Sequence, residues 1–224
     1  MSIITAFQQL VRRNRHRLSS RRGVLRSAAD KLGLVYFGFV DQHTDDHKVV
    51  RGFSTSPTHR DDSYIVGEYE GLSMTIVDRF DSVHDGRVAE YHSWLVLNVE
   101  MEPSADFDHI FLLPTHQTKI HYKKIFNAFR SLEKVTFSST VAEFHTRYQV
   151  YAKPDHHSNV DQLFTPETLQ VLSAHFWPLA VEIDGRNIYL YYADHKITEQ
   201  IVQSMIKNSA WLVQTLENSL QSSD

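Results

Sequence analysis

The 224-residue chain contains no cysteine. Disulfides, cysteine-ligated zinc, iron–sulfur centres and thiol nucleophiles are therefore excluded together, and a reducing compartment is expected. Glycine is scarce, at eight residues, and no two are arranged as a Walker loop or a G-x-G-x-x-G turn. Neither the G-x-S-x-G elbow nor H-E-x-x-H occurs. The longest near-apolar run, Leu32 to Val40, is broken by Gly33 and Gly38. It falls short of the roughly 20 residues that a membrane-spanning helix needs. A secretory signal places positive charge before an apolar stretch, whereas here Ile3, Ile4 and Phe7 precede the arginines. These absences point to a cytoplasmic, non-enzymatic protein with no cofactor and no transmembrane helix.

What the chain does have is charge, unevenly placed. Eight of its 23 Lys and Arg but one of its 27 Asp and Glu fall within residues 1–33, giving +7 there and −11 over 34–224. A basic arm on an acidic body suggests an anionic partner. Arg12, Arg13, Arg15, Arg17, Arg21, Arg22 and Arg26 are the candidate contacts, and Ile3, Phe7, Leu10 and Val11 place an apolar stripe beside them. Apolar face next to basic face is the arrangement of an interfacial helix, so an anionic lipid surface at the inner face of the membrane is the first reading. An acidic protein partner is the second, and nucleic-acid phosphate is a third. The competing arrangement docks the same helix on the acidic body, with its arginines paired internally.

Histidine is the one enriched reactive type, at fourteen residues. Asp41, His43, Asp45, Asp46 and His47 form the sharpest cluster, and Asp41, His43 and His47 are the candidate ligands of a divalent metal. A metal-dependent hydrolase built on that loop is the alternative function. Asp155-His156-His157 forms a second cluster, and Asp108-His109 with His116 and His121 a third. Between Lys119 and Arg130, Tyr122, Phe126 and Phe129 interleave with cations, a pattern also used to stack single-stranded RNA or DNA.

The element pattern predicts an α+β fold with a largely antiparallel sheet. Helices are expected over 2–18 and from Ser19 or Ser20 to Gly33, the latter carrying Val24, Leu25, Ala28, Ala29 and Leu32 inward. Strands follow at Leu34–Val40, Tyr64–Tyr69 and Leu72–Phe80, with a hairpin turn at His84–Arg87, a long return strand to Met101, and Phe107–Leu113. Residues 118–132 fit a helix or short strands. Phe144–Ala152 reads as a strand, and the helix after it is opened by Thr165-Pro166. A hairpin around Asp184-Gly185 and a long amphipathic helix through Ile201, Met205, Leu212, Leu216 and Leu220 close the chain. Organisation is thus a 1–33 arm and a 34–224 body, either one continuous sheet or two subdomains divided near 138–143.

Over residues 138–220, Phe144-x-x-x-Tyr148-x-Val150-x-Ala152 precedes Leu163-Phe164-x-Pro166-x-x-x-x-Val171-Leu172, the Val181–Tyr191 hairpin and the last helix. This pattern resembles an uncharacterised bacterial family, a domain of unknown function. Gly67–Phe80 resembles its glycine- and aromatic-bearing strand pair in outline. The resemblance implies a basic, often membrane-adjacent start and a sheet-rich middle. It implies no activity and no catalytic residue.

Overall fold

The structure, a computed structural model, describes residues 20–38, 60–85, 88–117, 132–136, 141–156, 160, 163–193 and 196–221. Its first helix, α1 (residues 20–32), ends where Gly33 adopts φ 71° and the Leu34 N–H donates to Ala29 O at 2.9 Å. This is a Schellman termination, which a glycine permits because no Cβ opposes the left-handed backbone. Leu25, Ala28 and Ala29 are fully buried, with Val24 and Leu32 packed beside them, so the expected inward stripe is the observed one.

The described residues contain nine strands: β1 (Val35–Phe37), β2 (Arg60–Tyr69), β3 (Leu72–Asp85), β4 (Val88–Glu100), β5 (Phe107–Pro114), β6 (Glu133–Lys134), β7 (Tyr148–Ala152), β8 (Ala180–Gly185) and β9 (Asn187–Tyr192). They form one antiparallel sheet in the order β1-β2-β3-β4-β9-β8-β5-β7-β6. β2 and β3 join through Glu70-Gly71, whose φ values of 53° and 80° are both positive. A two-residue turn of that kind matches the right-handed twist of its strands. β3 and β4 pair from Met74↔Val99 to Asp85↔Val88, which is the hairpin expected at His84–Arg87. The β8–β9 hairpin then inserts between β4 and β5, so strands from both sides of residues 138–143 share the sheet.

The described residues contain three further α-helices: α2 (Ala142–Arg147), α3 (Pro166–Val171), which runs on into a π turn over Leu172–Phe176, and α4 (Glu199–Gln221). Thr165 caps α3 by accepting from Thr168 N–H, with Pro166 in the first turn where its missing N–H costs nothing. α4 buries Met205, Leu212 and Leu216 as expected, whereas Leu220 is exposed. The strand expected from Phe144 begins four residues later, because Ala142–Arg147 is helical. Phe144 and Tyr148 are four apart, a spacing that serves a helix as well as a strand, and their rings stack at 5.4 Å. A Glu143–Arg147 ion pair at 2.8 Å supports the helical choice.

Strand alternation gives the sheet two buried faces. On one, Ile76, Leu97, Val181, Ile183, Ile188 and Leu190 pack with residues of all four helices. On the other, Tyr64, Val77, Trp94, Val96, Phe111, Leu113, Ala180, Tyr189 and Tyr191 form a second cluster, to which no described helix contributes.

Candidate functional site

Charge is buried on both faces, and each group has a strand or helix that aims it. Asp78 alternates with Met74 and Ile76 on β3 and therefore faces α1, where Arg21 meets it. Arg21 Nε donates to Asp78 Oδ1 and Oδ2 at 3.1 and 2.9 Å, and Nη2 to Oδ1 at 2.5 Å. The two side chains are 5% and 0% exposed. Burial pushes the Asp78 pKa above the usual carboxylate value, and the Arg21 hydrogen bonds and charge oppose that shift. One residue on, Arg22 grips Asp62 in a bidentate pair at 2.9 and 2.6 Å, with its guanidinium half-exposed. At the other end of α1, Ser27 and Lys31 both reach Glu199 at the start of α4.

The opposite face carries its own pairs. Arg79 Nε and Nη2 donate to Asp61 Oδ1 and Oδ2 at 2.7 and 2.9 Å, and the Tyr64 hydroxyl donates to Asp61 at 3.1 Å. Further along the sheet, the register Asn98↔Tyr189↔Glu182↔Phe111↔Tyr151 crosses five strands. Glu182, fully buried at the centre of that row, has His109 Nε2 at 3.0 Å from Oε1 and accepts the Tyr191 hydroxyl at Oε2. Phe111 and Tyr189 flank Tyr191, at ring distances of 6.2 and 6.3 Å. Burial, and then the nearby Glu182 charge, push the Tyr189 pKa up to about 12. The cluster seats the Glu182 carboxyl group between an imidazole and a phenol hydroxyl in an apolar setting, and His109 and Glu182 are both shut off from solvent. It is suited to fixing strand register rather than to meeting a substrate.

The residues singled out from sequence are distributed as follows. Arg21 is committed to Asp78 and Arg22 to Asp62, so the internal pairing that competed with anion binding is realised at these two positions. Arg26 is exposed on α1. Arg12, Arg13, Arg15 and Arg17 lie outside the described residues, as do Asp41, His43 and His47, the 2–18 helix and the Lys119–Arg130 segment. Of the remaining histidine clusters, His121 and His157 also lie outside the described residues, and the fold gives the described members separate partners. Asp108 and His109 are sequence neighbours on one strand, yet Asp108 pairs with His156 Nδ1 at 2.8 Å while His109 meets Glu182. His116 packs edge-on against Trp177, at 4.5 Å, where burial lowers its pKa. No group of three His, Asp or Glu is placed to hold a metal among the described residues.

Sequence reasoning did not single out Asp61, Asp78, Arg79 or Glu182. The available signal was a charged residue alternating with apolar ones in strands whose two faces both prove to be buried, as in Val181-Glu182-Ile183.

No protein-family model matches the chain, so the family resemblance gains no support from one. No curated protein matches it either. Among solved structures it is similar to the crystal structure of the mycobacterial trehalose monomycolate transport factor A, TtfA, with a TM-score of 0.56 at 11% identity. The match covers 91% of this chain and 94% of that one, so the likeness extends over nearly the whole architecture. At that identity it is a likeness of fold alone. No helix among the described residues is long and apolar enough to cross a membrane.

Proposed function

We propose that the protein is a non-enzymatic component that associates peripherally with an anionic membrane surface through the segment preceding α1. The observation that carries this reading is the division of the arginines. Arg21 and Arg22 are neutralised by Asp78 and Asp62, which anchors α1 to the sheet. Arg12, Arg13, Arg15 and Arg17 then concentrate four cations within six residues, next to Ile3, Phe7, Leu10 and Val11. Near an anionic surface each cation contributes about 1 kcal/mol, so four supply roughly 4 kcal/mol before any apolar insertion. A neighbour of similar fold titled a trehalose monomycolate transport factor is compatible with a lipid-facing role.

The test is co-sedimentation with vesicles containing phosphatidylserine and with neutral vesicles, comparing the full chain with an Arg12/Arg13/Arg15/Arg17→Gln variant. Arg21 and Arg22 stay intact so that α1 remains docked. Binding confined to anionic vesicles and lost in the variant supports the reading. Equal pelleting of the variant and the parent contradicts it.

A further inference from the structure

Among the described residues, the edge strand β1 carries two of the three large apolar side chains left exposed, Val35 at 53% and Phe37 at 49%. They alternate with Tyr36, which packs on the helical face, and pair with Val66 and Tyr64, so they stand on the opposite side of the strand. α1 covers the helical side of this edge, and its partners fix which flank it turns outward. Ser27 and Lys31 reach Glu199 on α4, which packs against β4 and β9, whereas Arg22 reaches Asp62 on β2. The Arg22 flank therefore faces the β1 edge, and Arg26, one turn on, shares it. Arg60 opens β2 beyond the last β1 pairing, Phe37↔Tyr64, so no described strand lies outside it. Its guanidinium is 5.7 Å from the centre of the Phe80 ring, which Arg21 approaches at 5.8 Å, so Arg60 is on the α1 side. Arg26 and Arg60 are exposed, and neither has a carboxylate partner among the described residues.

A surface laid along this edge meets Val35 and Phe37 on one side and two unneutralised guanidinium groups on the other. That combination suits the interfacial zone of a bilayer, where cations meet lipid phosphate and apolar side chains enter the acyl boundary. A polyanion without acyl chains would engage the arginines and leave Val35 in water. We propose that the β1 edge is a second, body-borne part of the membrane contact, with Arg26 and Arg60 on anionic headgroups and Phe37 inserted beside them. The inference rests on the membrane reading above but on none of the residues that carry it. The two parts are continuous along the chain, because the basic segment leads directly into α1.

The experiment offers vesicles of phosphatidylserine and dibrominated phosphatidylcholine to the full chain, to Arg26→Gln/Arg60→Gln, to Arg12/Arg13/Arg15/Arg17→Gln and to Phe37→Trp. Loss of two surface cations should weaken binding roughly 20- to 30-fold. Lys207→Gln, on the exposed surface of α4, should leave it unchanged. On binding, bromine should quench Phe37→Trp beyond the quenching of the parent's Trp94, Trp177 and Trp211. Parental affinity in the Arg26/Arg60 variant, or no added quenching at position 37, overturns the inference; the membrane reading still stands if the four-arginine variant loses binding. Weakened binding in the Arg26/Arg60 variant with none lost in the four-arginine variant supports the β1 edge and overturns the reading of the preceding segment. A parent that fails to bind these vesicles overturns both.

Discussion

On the helical face of the sheet, the buried pair Arg21–Asp78 joins a helix to a strand across 57 positions of sequence, whereas on the opposite face Arg79–Asp61 and His109–Glu182 join neighbouring strands. At the centre of the sheet the first face is aliphatic, with Ile76, Leu97, Ile188 and Leu190, and its aromatics, such as Phe144, Tyr148 and Phe176, come from β7 and the helices; the second is aromatic at its centre, with Tyr64, Trp94, Phe111, Tyr189 and Tyr191. The same kind of interaction therefore has two consequences. Between strands, a buried polar pair fixes register, since a one-residue slip turns each partner to the wrong face. Between α1 and β3, it makes retention of the helix depend on charge, because α1 brings just one large, fully buried side chain, Leu25, to the core. The basic segment is accordingly two things. Its later arginines belong to the body, and its earlier ones supply the positive charge of the proposed surface contact.

The most severe way to break this comparison is to remove α1. A chain beginning at Leu34 leaves Asp78 and Asp62 buried without their cations and uncovers the surface beneath Leu25, Ala28 and Ala29. Loss of the Arg21–Asp78 partner alone is expected to cost about 3–5 kcal/mol. Urea unfolding followed by circular dichroism should show a large fall in midpoint or loss of the cooperative transition. An unchanged midpoint would mean that α1 is dispensable. The body's stability is thus not independent of residues 20–33, and arm deletions aimed at membrane binding should stop before residue 20.

On the opposite face, Glu182→Ala strands His109 and Tyr191 together and should cost about 3–5 kcal/mol. Glu182→Gln keeps the shape and one acceptor, and should cost about 1–3 kcal/mol. A Glu182→Gln midpoint equal to the parent's would show that charge plays no part in this cluster.

The smallest effect expected is alkaline. Burial is the largest cause raising the pKa of Tyr64 and Tyr189 on the aromatic face and of Tyr148 on the helical face, Tyr189 to about 12. The folded state then holds protons that the unfolded chain releases near pH 10. Their stabilisation is fully present below about pH 10 and is lost as pH rises through the folded values. Absorbance at 295 nm should show these tyrosines ionising together with unfolding, after the exposed ones. Ionisation of every tyrosine near pH 10 with the fold intact would refute their burial.

Much of the architecture is legible in the sequence wherever a local rule decides it. Gly33 ends α1, Thr165-Pro166 starts α3, and period-two alternation marks the β3–β4 and β8–β9 hairpins. Phe144 is misread because a four-residue spacing to Tyr148 suits both periods. The buried charges are hidden for a different reason. Asp108-His109 looks like one cluster along the chain, but successive strand residues point to opposite faces, and each finds a partner from elsewhere: His156 for Asp108 and Glu182 for His109. Arg21 likewise looks like one of seven equivalent cations until β3 places Asp78 beneath it. Which arginine is internal is decided by tertiary register, which composition and spacing do not encode.

The most direct test of the division within the basic segment is a double-mutant cycle in urea with Arg21→Met, Asp78→Leu and the pair. Each single variant leaves a buried charge unpaired, while the double variant leaves an apolar contact. Stabilities that recover in the double variant, with a coupling of about 2–3 kcal/mol, would establish that Arg21 is part of the body's core. Additive losses, with coupling below about 0.5 kcal/mol, would show that Arg21 and Asp78 are independent and that α1 is not held in the way described.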